Sequence, residues 1–104
     1  MPIFTTEIAG RPTLAFAARD YASALAFVHM DFLYSELMDL RAQDGAPLWD
    51  GQAELVVRDA TEEEKSAWDA EVALAIRERE IDRREDALDW SWFIFLVPYL
   101  EPNE

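Results

Sequence analysis

The stretch IFTTEIAGRPTLAFA, residues 3–17, decides the fold class. Ile3 to Ala9 is rich in β-branched and aromatic residues and is bounded by Pro2 and Gly10, which is the composition and punctuation of a strand. Gly10, Arg11 and Pro12 carry turn chemistry, and Thr13 to Ala17 resumes as a second strand. The chain therefore opens on a hairpin. Side chains alternate across a strand, so Phe4, Thr6 and Ile8 share one face and Ile3, Thr5 and Glu7 the other.

Downstream of the hairpin the period changes. Asp20 is placed to cap a helix by accepting from a first-turn backbone N–H. Tyr21, Leu25, Val28 and Phe32 come next at helical spacing as an apolar stripe, while Phe27, Met30 and Tyr34 lie off it. That helix is apolar over more than one face. Either it continues or Asp31 starts a separate short helix over Phe32 to Leu40. Asp44-Gly45 and Asp50-Gly51 are turn signals, and Pro47 to Trp49 between them reads as a short edge segment. Ala53 to Arg58 alternates, with Leu55 and Val57 opposed to Glu54, Val56 and Arg58, as in a strand with one solvated side.

Thr61, with Glu62, Glu63 and Glu64 after it, is the clearest boundary in the chain. A threonine hydroxyl and a glutamate three residues on can each satisfy a free backbone N–H of the first turn. The three carboxylates also suit the positive end of the helix dipole. The helix is expected to run from Glu62 to about Arg84. Its main stripe is Trp68, Val72, Ala75 and Ile76, and its weaker one Ala67, Ala70, Leu74 and Ile81. Trp90 to Val97 closes the chain as a strand apolar on both faces, which predicts a central position in the sheet. Pro98 cannot donate to a ladder, so the strand is expected to stop or reach an edge there. The order is β-β-α-β-β-α-β. This implies a single α+β domain over residues 1–104, with an antiparallel or mixed sheet of four to five strands packed with two main helices.

The bulk properties bound the function. The chain has 104 residues, a formal charge of -13 and no cysteine, which excludes disulfides, thiolate metal sites and a cysteine nucleophile. Residues 1–60 carry 4 basic and 9 acidic groups and residues 61–104 carry 5 and 13, so direct binding to nucleic acid through basic side chains is not expected. The longest apolar tract, Trp92 to Pro98, falls well short of the ~18 residues of a membrane span. The first ten residues have no basic-then-apolar signal pattern, which makes the cytoplasm the default location. Pro47 to Trp68 resembles stretches of small bacterial proteins, a likeness without functional content.

Chemistry-bearing constellations are sparse. His29 is the one histidine, and Asp31 two residues on is poorly placed on a helix to orient it. Asp82, Glu85, Asp86 and Asp89 form the densest acidic run, but Arg83 and Arg84 interrupt it and no calcium-loop glycine accompanies it. No cofactor or metal is expected. The surplus of apolar helical faces points to self-association, as a homodimer or higher oligomer, or to a protein partner, which the charge suggests is basic. Interface candidates are Phe27, Met30, Tyr34, Trp49, Leu74, Ile81 and Trp90. Two other classes stand beside this one: an acidic inhibitor that mimics nucleic acid, and a small enzyme using His29 or a buried carboxylate.

Overall fold

The computed structural model describes residues 2–83 and 92–99. β1 (Ile3–Ile8) and β2 (Arg11–Ala17) form the expected hairpin. Helices α1 (Tyr21–Val28) and α2 (Asp31–Asp39) come next, then β3 (Leu55–Asp59), α3 (Glu62–Arg77) and β4 (Phe93–Phe95). The four strands form one antiparallel sheet in the order β3-β1-β2-β4. The α+β class holds. Among the described residues the element order is β-β-α-α-β-α-β, with three helices in place of two, and the expected edge segment at Pro47 is an isolated bridge to Arg41.

The hairpin turns through two residues, not three. Ile8 pairs with Arg11, and Ala9 and Gly10 both have positive φ, 54° and 81°. That is the backbone of a type I′ turn, whose twist matches the strands it joins. Arg11 and Pro12 thus belong to β2. Pro12 is accommodated because the register slips between Thr6 and Glu7: Thr6 pairs with Leu14 and Glu7 with Pro12, leaving Thr13 as the extra residue of a bulge. A bulge is where a sheet tolerates a residue with no N–H to give.

Alternation then sorts the side chains into two cores. Phe4, Ile8, Leu14, Phe16 and Val57 face α1 and α2, where they meet Ala24, Phe27, Val28, Leu33 and Leu37. Ala15, Ala17 and Ile94 face α3, where they meet Trp68 and Val72. The two helical layers are offset. α1 packs on β1 and β3, whereas α3 packs on β2.

The helices differ from expectation in phase and length. The buried face of α1 is Ala24, Phe27 and Val28, while Tyr21 stays exposed. Met30, with extended backbone, breaks the helix and re-phases the next one, so Phe32 is also exposed. α3 begins as expected, with the reciprocal Thr61–Glu64 capping box. It ends at Arg77 rather than Arg84 because Arg79 adopts φ 63°, and Glu80 N–H closes back onto Ala75 C=O. A left-handed residue just past a helix satisfies its last carbonyls and stops it. Ile76, expected in the main stripe, is exposed, and Trp68, Val72 and Ala75 carry the burial.

The largest correction is β4. It is short, and among the described residues it pairs with β2 alone, at the end of the sheet. Its apolar faces therefore do not mark a central strand.

The hairpin generates two stability predictions. Ala9→Asn or Ala9→Gly removes the strain of a β-carbon at positive φ and is expected to raise unfolding free energy by about 1 kcal/mol in urea titrations; a loss would show that the turn has another geometry. Thr6 is fully buried, and among the described residues its Oγ1 has no hydrogen-bond partner. Thr6→Val is expected to stabilise by about 1 kcal/mol, whereas a destabilised variant would reveal a partner for the hydroxyl.

Candidate functional site

Three side-chain constellations stand out. The first is polar and lies between the sheet and the start of α3. Arg58 on β3 donates from Nε to Glu7 on β1 at 2.6 Å, and from its two terminal nitrogens to both oxygens of Glu64 at 2.7 and 2.9 Å. Glu64 also accepts from Thr5 Oγ1 at 2.9 Å and from Thr61 N–H at 2.8 Å. Planar two-point pairing of this kind is the strong form of an ion pair. The Arg58 guanidinium, aided by the Thr61 amide and the Thr5 hydroxyl, holds the Glu64 carboxyl down at about 2, and the two carboxylates hold the Arg58 guanidinium above its ordinary value.

A carboxylate so acidic is a poor general base at neutral pH. The cluster's geometry is that of a clamp, fixing the α3 N-terminus to β1 and β3. The depressed pKa means that the fold holds the charged form. Its contribution is complete above the ordinary value of 4.5 and is lost as pH falls toward about 2. The shift corresponds to at most roughly 3 kcal/mol. Glu64→Gln is accordingly expected to flatten the loss of unfolding free energy between pH 4.5 and about 2, measured by denaturant titration across pH. An unchanged acid limb would contradict the clamp.

The second constellation surrounds His29. His29 occupies the C-cap position of α1 and is exposed, with its ring Nδ1 2.5 Å from Tyr34 Oη. Tyr34 stacks on Trp49 at 5.0 Å, and Trp49 Nε1 donates to Ala53 C=O. The 41–54 loop holds Trp49 there by returning along α2, with Leu48 and Trp49 N–H bonded to Leu40 and Leu37 C=O. Aspartates serve the backbone in the same loop: Asp44 accepts from Ala46 N–H, and Asp50 from Gln52 and Ala53 N–H. The Ala53 and Gln52 bonds hold the Asp50 carboxyl below its ordinary value. Among the described residues, no group of three or more His, Asp or Glu is arranged to hold a metal ion.

The third is the outer edge of β4. A groove of about 600 Å³ is lined by Trp92, Phe93, Ile94, Phe95 and Tyr99 together with Glu71 and Glu80. Consecutive residues of a strand point to opposite faces. A cavity that touches 92, 93, 94 and 95 in turn therefore runs along the strand's edge rather than over one face. On the α3 side, Trp92 meets Trp68 edge-on at 4.9 Å. On the other side Phe93 reaches Phe27 at 5.9 Å, and Phe95 packs on Tyr99 at 4.6 Å. Because α1 sits over β1 and β3, Phe93 and Phe95 are only half-buried, and Tyr99 is 42% exposed.

The hydrogen-bond phase of β4 shows which backbone groups the edge presents. Leu96 N–H bonds Thr13 C=O, and the register pairs Ile94 with Ala15. In an antiparallel ladder, alternate residues bond to one neighbour. Ile94 and Leu96 thus point to β2, and the N–H and C=O groups of Phe93 and Phe95 point away from it.

The residues singled out in the sequence scatter. Met30 is exposed at 37%, at one end of a shallow pocket that Ser23, Ala26 and Phe27 also line. Phe27 is 4% exposed and belongs to the core. Tyr34 and Trp49 come together, half-buried, beside His29. Leu74 is half-buried on α3, and Ile81 packs against the α3 core. Trp90, Glu85, Asp86 and Asp89 lie outside the described residues, as does Arg84. Sequence reasoning does not single out Arg58, Glu71 or Phe95. Pro98 is the available signal for the edge, because proline ends a ladder.

Among the described residues no helix is long and apolar enough to cross a membrane. No family model, no curated protein and no solved structure matches this chain.

Proposed function

We propose that this domain is a protein-interaction module whose contact surface is the outer edge of β4. One observation carries the reading: a strand at the end of the sheet that is apolar on both faces and whose outward backbone groups at Phe93 and Phe95 are bonded by none of the described residues. Folded proteins blunt such edges with charge, bulges or short strands because an open edge templates pairing with another chain. The opposite edge, β3, is blunted in this way by Glu54, Arg58 and Asp59. β4 has only its shortness and Pro98.

The other readings find less support. Among the described residues the exposed carboxylates spread over α2, the 41–54 loop, β3 and α3, on both sides of the sheet, and not in one array that could imitate a phosphate backbone. His29 has a tyrosine hydroxyl beside it, and among the described residues the one strongly shifted carboxylate is committed to Arg58. Self-association through β4 is the nearest alternative use of the same edge. The formal charge of -13 on each copy opposes it at low salt.

Salt screens that repulsion and leaves apolar pairing intact. Light scattering is expected to show a monomer at low salt, with mass rising with concentration at high salt. Phe95→Pro removes the outward N–H without touching the β2 ladder, and is expected to abolish the rise. Phe95→Leu retains the N–H and is expected to preserve the rise. A rise that persists in Phe95→Pro would overturn the edge as the contact surface, and a monomer at every salt would exclude a second copy as its occupant.

A further inference from the structure

We propose that the β4 groove accepts an extended, basic protein segment, which adds antiparallel or parallel to β4 as a fifth strand and places Lys or Arg side chains against Glu71 and Glu80. This inference rests on the edge reading above and adds the chemistry of the occupant.

Trp92, Phe93, Ile94, Phe95 and Tyr99 give the groove aromatic and apolar side chains, and among the described residues the charged side chains that line it are both carboxylates. Strand addition takes its affinity from backbone bonds and its selectivity from alternate side chains of the incoming segment. Here the backbone bonds fall at Phe93 and Phe95. The alternate side chains meet Trp92, Ile94 and Glu71 on the α3 side, because α3 carries Glu71 and the α3 core includes Trp92 and Ile94. On that side a long basic side chain can lay its methylene stem on the indole and carry its charge to the carboxylate. An acidic segment would meet like charge at Glu71 and Glu80 and across the whole molecule, which carries -13. The same field draws a basic segment in and raises its association rate. At low salt a second copy of the chain is disfavoured on the same ground, since it would bring a further charge of -13.

The strand is three residues long and stops before Pro98. The added ladder is therefore short, which suits a reversible contact and makes the Glu71 and Glu80 charges a meaningful share of the affinity. Exposed charge pairs contribute little individually, so two of them correspond to about a three- to tenfold change in affinity.

The test uses three capped heptapeptides that alternate valine with lysine, serine or glutamate, titrated into the full chain at low salt and monitored by calorimetry and by amide shifts of β4. The lysine peptide is expected to bind about three- to tenfold more tightly than the serine peptide, and the glutamate peptide not at all. The Glu71→Gln, Glu80→Gln double variant alters exposed side chains and is expected to erase the difference between lysine and serine. Phe95→Pro, checked for native circular dichroism, is expected to abolish binding of both, and Phe95→Leu to retain it. Lysine and serine peptides that bind equally, with no effect of the glutamine pair, would overturn the charge recognition and leave strand addition standing. Tight binding of the glutamate peptide would overturn it too. If no peptide binds and β4 shifts with none of them, the edge reading itself fails.

Discussion

Ile8 meets Arg11 across a two-residue turn, and from that pair the β1–β2 ladder fixes which side chains reach each helical layer. β1 and β2 are the two inner strands, and each carries one outer strand. Their alternation sends Phe4, Ile8, Leu14 and Phe16 to the α1–α2 layer and Ala15 and Ala17 to α3. A slip of one residue would exchange these sets and put large side chains where α3 needs small ones. The small residues matter because Trp68, fully buried, occupies the space above Ala15 and Ala17. The bulge at Thr13 is part of the same constraint, since it admits Pro12 without shifting the pairs between Phe4 and Phe16.

The Arg58 clamp and the β4 groove are two consequences of how the third helix docks on this ladder. Arg58 pulls the α3 N-terminus toward β1 and β3 through Glu64 and Glu7. The helix then crosses to β2, and its core residues Trp68 and Val72 meet Ile94 of β4. On the opposite face α1 is drawn to β1 and β3 by the same large residues of the ladder. The outer strand is thus covered on one side by α3 and only in part on the other. Apolar residues at the edge of a sheet cost little when their faces are covered, but the backbone edge is unaffected by that cover. The clamp secures the fold while the edge keeps its bonding capacity.

Much of this is legible in the chain. The hairpin, the Asp20 and Thr61 caps and the two faces of β3 arise from local chemistry, because a capping hydroxyl or an alternating pair acts within a few residues. The features that require the structure are long-range. Whether a strand apolar on both sides is central or outer depends on what pairs with it, and Trp92 to Val97 looks the same in either place. The Arg58 cluster joins residues 51 and 6 positions apart, and strand alternation alone assigns Arg58 to solvent. The phase of α1 is hidden in the sequence because extended Met30 interrupts a pattern that otherwise continues through Phe32.

Which backbone groups of β4 face outward decides whether this edge can take another strand. Residue-resolved hydrogen exchange of the free chain at low salt tests this directly. The bond from Leu96 to Thr13 and the pairing of Ile94 with Ala15 predict slow exchange at Ile94 and Leu96 and fast exchange at Phe93 and Phe95. Equal protection at all four amides in a monomeric sample would mean that the edge is already paired, and would contradict the role assigned to it.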